Sequence, residues 1–185
     1  MDKVYHLEAP LSIEDIECLK IGDMVDVSGY IYTARDAAHQ RFLKLIKEGK
    51  ELPIPIEGQI IYYVGPTPAP PGKVIGAAGA TTSYRMDPYS PALLEMGLKG
   101  MIGKGRRSNE VKEAMVKYKA IYMASVGGAA ALMSRSIKEA SVVAYEEMGP
   151  EAVMKLKVEK MPAIVVNDIF GNDLYNEGKK KYRIN

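Results

Sequence analysis

Met24-Val-Asp-Val-Ser-Gly-Tyr-Ile-Tyr32 runs without a break into Thr33-Ala-Arg-Asp-Ala-Ala-His39. From Asp23 to Tyr32 the residues alternate well enough for a strand. From Ala37 to Lys47 the apolar residues Ala38, Phe42, Leu45 and Ile46 recur at helical spacing. Strand, turn and helix in immediate succession is the unit from which α/β domains are built. Upstream, Val4–Leu7 reads as a short strand, followed by a helix opened by Ser12 with Asp15 three residues on. Downstream, a loop with Pro53 and Pro55 leads to an apolar strand at Ile60–Val64, and then to the proline-crowded stretch Gly65–Gly72. A strand is expected at Val74–Ala78. Asp87-Pro88 begins a helix ending near Gly97, with Asp as cap and Pro at the first position. Gly100–Gly103 is a short strand, Ser108–Lys119 a helix and Ala120–Val126 another strand. After Gly127-Gly128 come a helix of small residues (Ala129–Ile137) and three strands, Ser141–Tyr145, Val153–Val158 and Ala163–Asp168. Phe170-Gly-Asn-Asp173 reads as a turn and Lys179–Lys181 as part of a solvated basic tail, 176–185. The pattern predicts one mixed α/β domain over 1–185, its topology open.

Composition narrows the class. The chain has 185 residues, 47% hydrophobic and 26% charged, enough to bury a core without metal or disulfide staples. With 25 basic and 23 acidic side chains the net charge of +2 gives no strong field for nucleic acid or an anionic membrane. Cys18 is the one cysteine, so it forms no internal disulfide and nucleates no metal site by itself; a reducing, cytoplasmic setting is expected. No run approaches the roughly 18 apolar residues of a membrane helix, and Met1–Pro10 carries charges where a signal peptide would be apolar.

Three segments offer chemistry. In Gly79-Ala-Thr-Thr-Ser-Tyr-Arg-Met-Asp87, three hydroxyl residues follow a glycine turn, and Arg85 could grip a carboxylate through two parallel hydrogen bonds. The bland reading has Thr81 and Ser83 satisfying loop backbone while Arg85 pairs with an acid. In Gly100-Met-Ile-Gly-Lys-Gly105, Lys104 sits at the end of a strand, where ligands of α/β proteins often bind; the GxxxxGK[ST] spacing of a P-loop is missing. The alternative is a surface lysine in a turn. At Thr33–His39, Asp36 could cap the helix and leave Arg35 free for a ligand. His39, one turn on, could orient Arg35, and its own two readings are a hydrogen-bonded, partly buried histidine and a general base. Gly127-Gly128 permits close backbone approach to an anion or to another helix. Three turn-located cations, Arg35, Arg85 and Lys104, with hydroxyls nearby suit a small di-acid. No metal pattern and no strong base accompany them, so the set reads as half an active site.

These segments together resemble the small β subunit of the class I, iron–sulfur-dependent fumarate hydratases and of the related L(+)-tartrate dehydratases. The matching pieces are Gly29–His39, Ile61–Pro66, Gly79–Asp87, Gly103-Lys-Gly105, Ser125–Ala130 and Phe170–Asp173, with the family domain expected over about 11–175. The resemblance implies a swivelling β/β/α domain of the fumarase C-terminal type, and reversible hydration of fumarate to (S)-malate, or dehydration of L-tartrate to oxaloacetate. It also implies a [4Fe-4S] cluster held by three cysteines of a larger α subunit, and hence a hetero-oligomer. By the same resemblance, Arg35, Arg85 and Lys104 bind the substrate carboxylates, and Thr81 takes the C3 proton. Gly79 and Thr82 shape the turn, and Asp87 caps the next helix. Asp36, His39, Gly127 and Gly128 support the site. Two positions depart from the family pattern, Ala80 in place of proline and Tyr84 in place of glycine.

Overall fold

The computed structural model describes residues 3–125 and 130–183. Within them lie strands β1 (Val4–Ala9), β2 (Met24–Thr33), β3 (Ile60–Tyr62), β4 (Gly100–Gly103), β5 (Ile121–Ala124), β6 (Ile137–Ala144) and β7 (Val153–Asn167). The helices are α1 (Ile13–Ile16), α2 (Asp36–Lys47), α3 (Ser90–Glu95), α4 (Asn109–Tyr118), α5 (Ala130–Ser136) and α6 (Leu174–Tyr182). Strands β2, β3, β4 and β5 pair side by side in parallel, with β1 parallel to the first half of β2. The long strand β7 runs antiparallel to both β2 and β5, so the ladder β2-β3-β4-β5-β7 closes on itself, and β6 extends it from β7.

Alternation sorts the core into two. Ile60, Tyr62, Val64, Ile102, Ile121 and Met123 join one buried cluster with Val25, Val27, Leu156 and Val165. Ile61, Tyr63, Met101 and Tyr122 face the other, against Phe42 of α2, Leu93 and Leu94 of α3, and Val111 and Met115 of α4. Strands covered on both faces read as unbroken apolar runs, which is why Ile60–Val64 shows no polar alternation. The scattered methionines fill this core: Met86, Met101, Met115, Met123, Met133 and Met161 are all fully buried.

Register brings the functional ends level. Thr33 pairs with Tyr62, Tyr62 with Ile102, and Ile102 with Met123. The residues that follow, Arg35, Tyr63, Lys104 and Ser125, therefore emerge at the carboxyl edge of one parallel sheet. That edge is where α/β folds place ligands.

Several local expectations hold. Ser12 and Asp15 form a reciprocal capping box on α1, and the Ser108 hydroxyl accepts the Val111 N–H at 3.3 Å to cap α4. Others are corrected. Val74–Ala78 is irregular, tied back through Thr67 to Ala77 and through Ala78 to Tyr62 and Ala130, because the prolines before it remove ladder donors. The two expected strands Val153–Val158 and Ala163–Asp168 are one strand, β7; its irregularity at Lys160 (φ 49) is absorbed as a register shift opposite Val27–Gly29. Asp87-Pro88 does not open a helix. Ser83–Met86 forms a 3₁₀ turn first, and α3 starts at Ser90. The expected tail is largely helix α6, capped by Asp173 through the Tyr175 and Asn176 N–H groups. Cys18, which its place in a short amphipathic helix predicts to be a small buried hydrophobe, is exposed, because α1 is a single turn that buries only Ile16.

Candidate active site

The first wall of the site grows from β2. Thr33 is fully buried, and its hydroxyl donates to the Ala152 carbonyl and accepts the Met154 N–H, locking the strand end against β7. Arg35 then begins α2 as its N-cap residue, with no side-chain cap. Its carbonyl accepts both the His39 N–H (2.9 Å) and His39 Nδ1 (2.8 Å). His39 is wholly buried among Phe42, Tyr63 and Tyr89, and that burial pushes its pKa down to about 4 despite the Arg35 carbonyl. His39 is thus the buried, neutral histidine of the two readings. It holds the Arg35 backbone and does not touch the guanidinium.

This burial has a consequence for stability. The folded chain keeps His39 neutral to about pH 4, whereas the unfolded chain protonates it near the ordinary 6.5. The unfolded state then binds the extra proton, so stability falls as pH drops from about 6.5 toward 4 and is unaffected above that window. The expected loss from this group is about 3 kcal/mol at pH 4 relative to pH 7. Urea unfolding at both pH values should show a smaller pH difference for His39→Gln than for the wild type; equal differences would contradict the assignment.

The Arg35 guanidinium lies beside Glu151, Nη2 to Oε1 at 3.0 Å. Asp36 does not cap α2. Its Oδ2 accepts from Arg85 Nη2 at 2.6 Å, while its Oδ1 stands 3.9 Å from Arg35 Nε. One carboxylate therefore sits between the two arginines and holds them as neighbours, although they are fifty residues apart in the chain.

The second wall is the loop carrying Thr81. The Thr81 N–H donates to the Tyr63 carbonyl at 2.7 Å, and Ala80 pairs with Val64. Thr82 then pairs with Lys104: the Ser83 N–H donates to the Lys104 carbonyl (2.9 Å), and the Lys104 N–H reaches Ser83 Oγ (3.1 Å) and the Thr81 carbonyl (3.3 Å). Ser83 Oγ is also 2.9 Å from the Tyr122 hydroxyl, which donates to the Gly105 carbonyl. So close is this contact that a Cβ on Gly103 would lie 2.0 Å from Ser83 Oγ, and only glycine fits there. Ser83 thus takes the structural part that the bland reading gave the hydroxyls. The Thr81 and Thr82 hydroxyls make no hydrogen bond among the described residues, and Lys104 is exposed without an ion pair among them.

Tyr84 points outward, 64% exposed, so it adds no bulk inside the turn, and Ala80 keeps the backbone pairing with Val64. Gly79 lies at the mouth, its missing Cβ 3.1 Å from the Cβ of Ala130. Gly127 and Gly128 lie outside the described residues.

The Fumarase C-terminus family matches residues 2–178. The chain belongs to this family. It is 40% identical over 159 residues to a protein of Escherichia coli (strain K12) named "Fumarate hydratase class I, anaerobic", covering 85% of this chain and 29% of that protein. It is 38% identical over 159 residues to "Fumarate hydratase 2" of Leishmania major, covering 85% of this chain and 28% of that one. It is 36% identical over 177 residues to "Putative L(+)-tartrate dehydratase subunit beta" of Methanocaldococcus jannaschii, covering 92% of this chain and 91% of that protein. The chain thus spans under a third of these two fumarate hydratases and nearly all of the β subunit.

Within this fumarase C-terminal domain, two residues belong to the site's framework in ways not expected. Asp87 does not cap α3; its oxygens accept Arg107 Nε and the Ser108 N–H, both at 2.7 Å. Arg107 has a fully enclosed side chain and was not legible as a functional residue, since Arg106-Arg107 looks like any solvated basic pair. Asp87, with a capped helix at Ser108, was the available hint. No cluster of three His, Cys, Asp or Glu side chains among the described residues could hold a metal, and a single exposed cysteine does not supply three thiolates. The donor set of this domain does not fit a [4Fe-4S] cluster. No helix among the described residues is long and apolar enough to cross a membrane.

Proposed function

We propose that this chain is the β subunit of a two-subunit hydro-lyase that interconverts fumarate and (S)-malate. It supplies carboxylate-binding cations and a base to a site that a larger α subunit completes. The observation that carries the reading is the gathering of Arg35, Arg85, Lys104 and Thr81 at one parallel strand edge, from three separate chain segments.

The chemistry asks for such a set. A proton next to a carboxylate is weakly acidic, and its removal loads further negative charge on that carboxylate. Fixed guanidinium and ammonium groups stabilise the developing charge, more strongly once water is excluded. Arg85 has one face on Asp36 and is 42% exposed, leaving donors free for a substrate carboxylate; Lys104 is free to meet the same anion from the opposite turn. Thr81, whose hydroxyl is uncommitted among the described residues, takes the C3 proton as its alkoxide, its own proton having first passed to water or to a basic group of the α subunit, and the nearby cations lower the cost of that alkoxide. Arg35, held by Glu151, binds the second carboxylate. The cluster is assigned to cysteines of the α subunit, and closure of this domain on that subunit would exclude water. The complex is placed in the cytoplasm.

A second substrate has its own support. A relative matched over 92% of this chain and 91% of its own length is named "Putative L(+)-tartrate dehydratase subunit beta". L-Tartrate has the same two carboxylates and a proton on the carbon next to one of them, so the cation set serves both.

Thr81→Val separates catalysis from assembly. In the reconstituted complex it is expected to lower kcat by about 10²–10⁴, the range of a lost general base, with the complex intact by size-exclusion chromatography. Undiminished turnover would leave the chain a carboxylate-binding and assembly subunit.

A further inference from the structure

Three residues beyond Lys104, the guanidinium of Arg107 is sealed from solvent. Its Nε donates to Asp87 Oδ1 at 2.7 Å, Nη2 to Ser90 Oγ at 2.6 Å and Nη1 to the Tyr63 hydroxyl at 3.3 Å. The rings of Tyr63 and Tyr122 flank it, with centroids 5.3 and 5.1 Å from Cζ. Each partner belongs to a segment that displays a site residue. Asp87 stands two residues past Arg85. The Tyr63 carbonyl holds the Thr81 N–H, and the Tyr122 hydroxyl joins Ser83 to Gly105 beside Lys104. Arg107 itself ends the turn that begins at Lys104.

A buried ion is an expensive way to fill this space, because desolvating a charge costs several kcal/mol and apolar packing often does as well. What a guanidinium adds is a rigid fork of donors in fixed directions, able to set the spacing of separate chain segments. Arg107 grips the Arg85 turn, the β3 end and its own turn at once. It lies beneath the site and meets no substrate.

We infer that Arg107 is a positioning residue for dicarboxylate binding: through Asp87 and Tyr63 it fixes the spacing of Arg85, Lys104 and Thr81. The inference rests on the dicarboxylate reading given above. A displacement of about 1 Å at a reacting group is enough to cost on the order of 10²-fold in rate.

The test uses the complex reconstituted with its cluster-bearing partner, assayed with fumarate and with L-tartrate. Arg107→Lys keeps the positive charge facing Asp87 and loses the fork. It is expected to assemble normally, to raise KM and to lower kcat/KM by about 10²-fold per folded complex. Because Arg107 acts in part through Arg85, the double variant Arg85→Lys/Arg107→Lys should lose clearly less than the product of the two single losses. Wild-type kcat/KM in folded Arg107→Lys, or losses that multiply in the double variant, would overturn the inference and leave Arg107 a stability residue. Should Arg107→Lys fail to assemble, Asp87→Asn, which leaves the Ser90 and Tyr63 contacts in place, is expected to show the same rise in KM, and an unchanged KM would overturn the inference equally. Arg85→Ala is the control. If it turns over both substrates normally, the dicarboxylate reading falls and this inference with it; if it is inactive while Arg107→Lys is normal, only the role of Arg107 falls.

Discussion

Lys104→Ala and Arg85→Ala are each expected to reduce turnover of the assembled complex by about 10³-fold or more while the chain stays folded. Loss of one preorganised donor to a developing oxyanion commonly costs 10²–10³ in rate, and these residues would also bind the ground-state carboxylates. Neither side chain is part of the core. Lys104 is exposed and has no ion pair among the described residues, so its removal leaves no buried group unpaired. Arg85 gives up one contact to Asp36, but both side chains are partly solvated, where such pairs contribute little to stability. The thermal midpoint of either variant should therefore stay close to that of the wild type. Steady-state kinetics with matched circular dichroism checks the pair, and activity within tenfold of wild type in either variant would remove that cation from the site.

The opposite pattern is expected for Arg107→Ala, which should act first on stability. Truncation leaves the Asp87 carboxylate, only 11% exposed, without its guanidinium, and strips Ser90 and Tyr63 of a buried partner. Breaking a buried pair from one side typically costs 3–5 kcal/mol, and a cavity between two tyrosine rings adds to it. For a chain of 185 residues that corresponds to a fall in melting temperature on the order of 10 °C. Differential scanning calorimetry of the isolated chain measures it. A change of under about 2 °C would mean that the enclosed network contributes far less than its geometry suggests.

Much of the candidate site's layout was legible because its signals are local. Gly79–Asp87 and Gly103–Gly105 announce themselves as turns by glycine and hydroxyl content, and their cations fall at the ends of readable strands. What joins them was not legible. The pairings of β7 with β2 and β5 span up to about 140 residues, and Pro162 with the charged Glu159-Lys160 makes one long strand look like two. Asp36 shows the same limit from the side of chemistry. An aspartate at the first position of a helix reads as a cap, and only the fold brings Arg85 to within 2.6 Å of it. His39 and Arg107 differ from solvated residues in burial alone, which no spacing records. The sequence separates Arg106 from Arg107 in no respect, yet one is exposed and the other enclosed.

The most direct measurement of the central claim is anaerobic activity of this chain alone and reconstituted with its cluster-bearing partner, with fumarate and L-tartrate offered in parallel. No turnover by the chain alone and fumarate hydration by the complex are expected, with preferential tartrate turnover moving the assignment to the second substrate. Silence on both substrates from a stable complex with an intact cluster would contradict the claim.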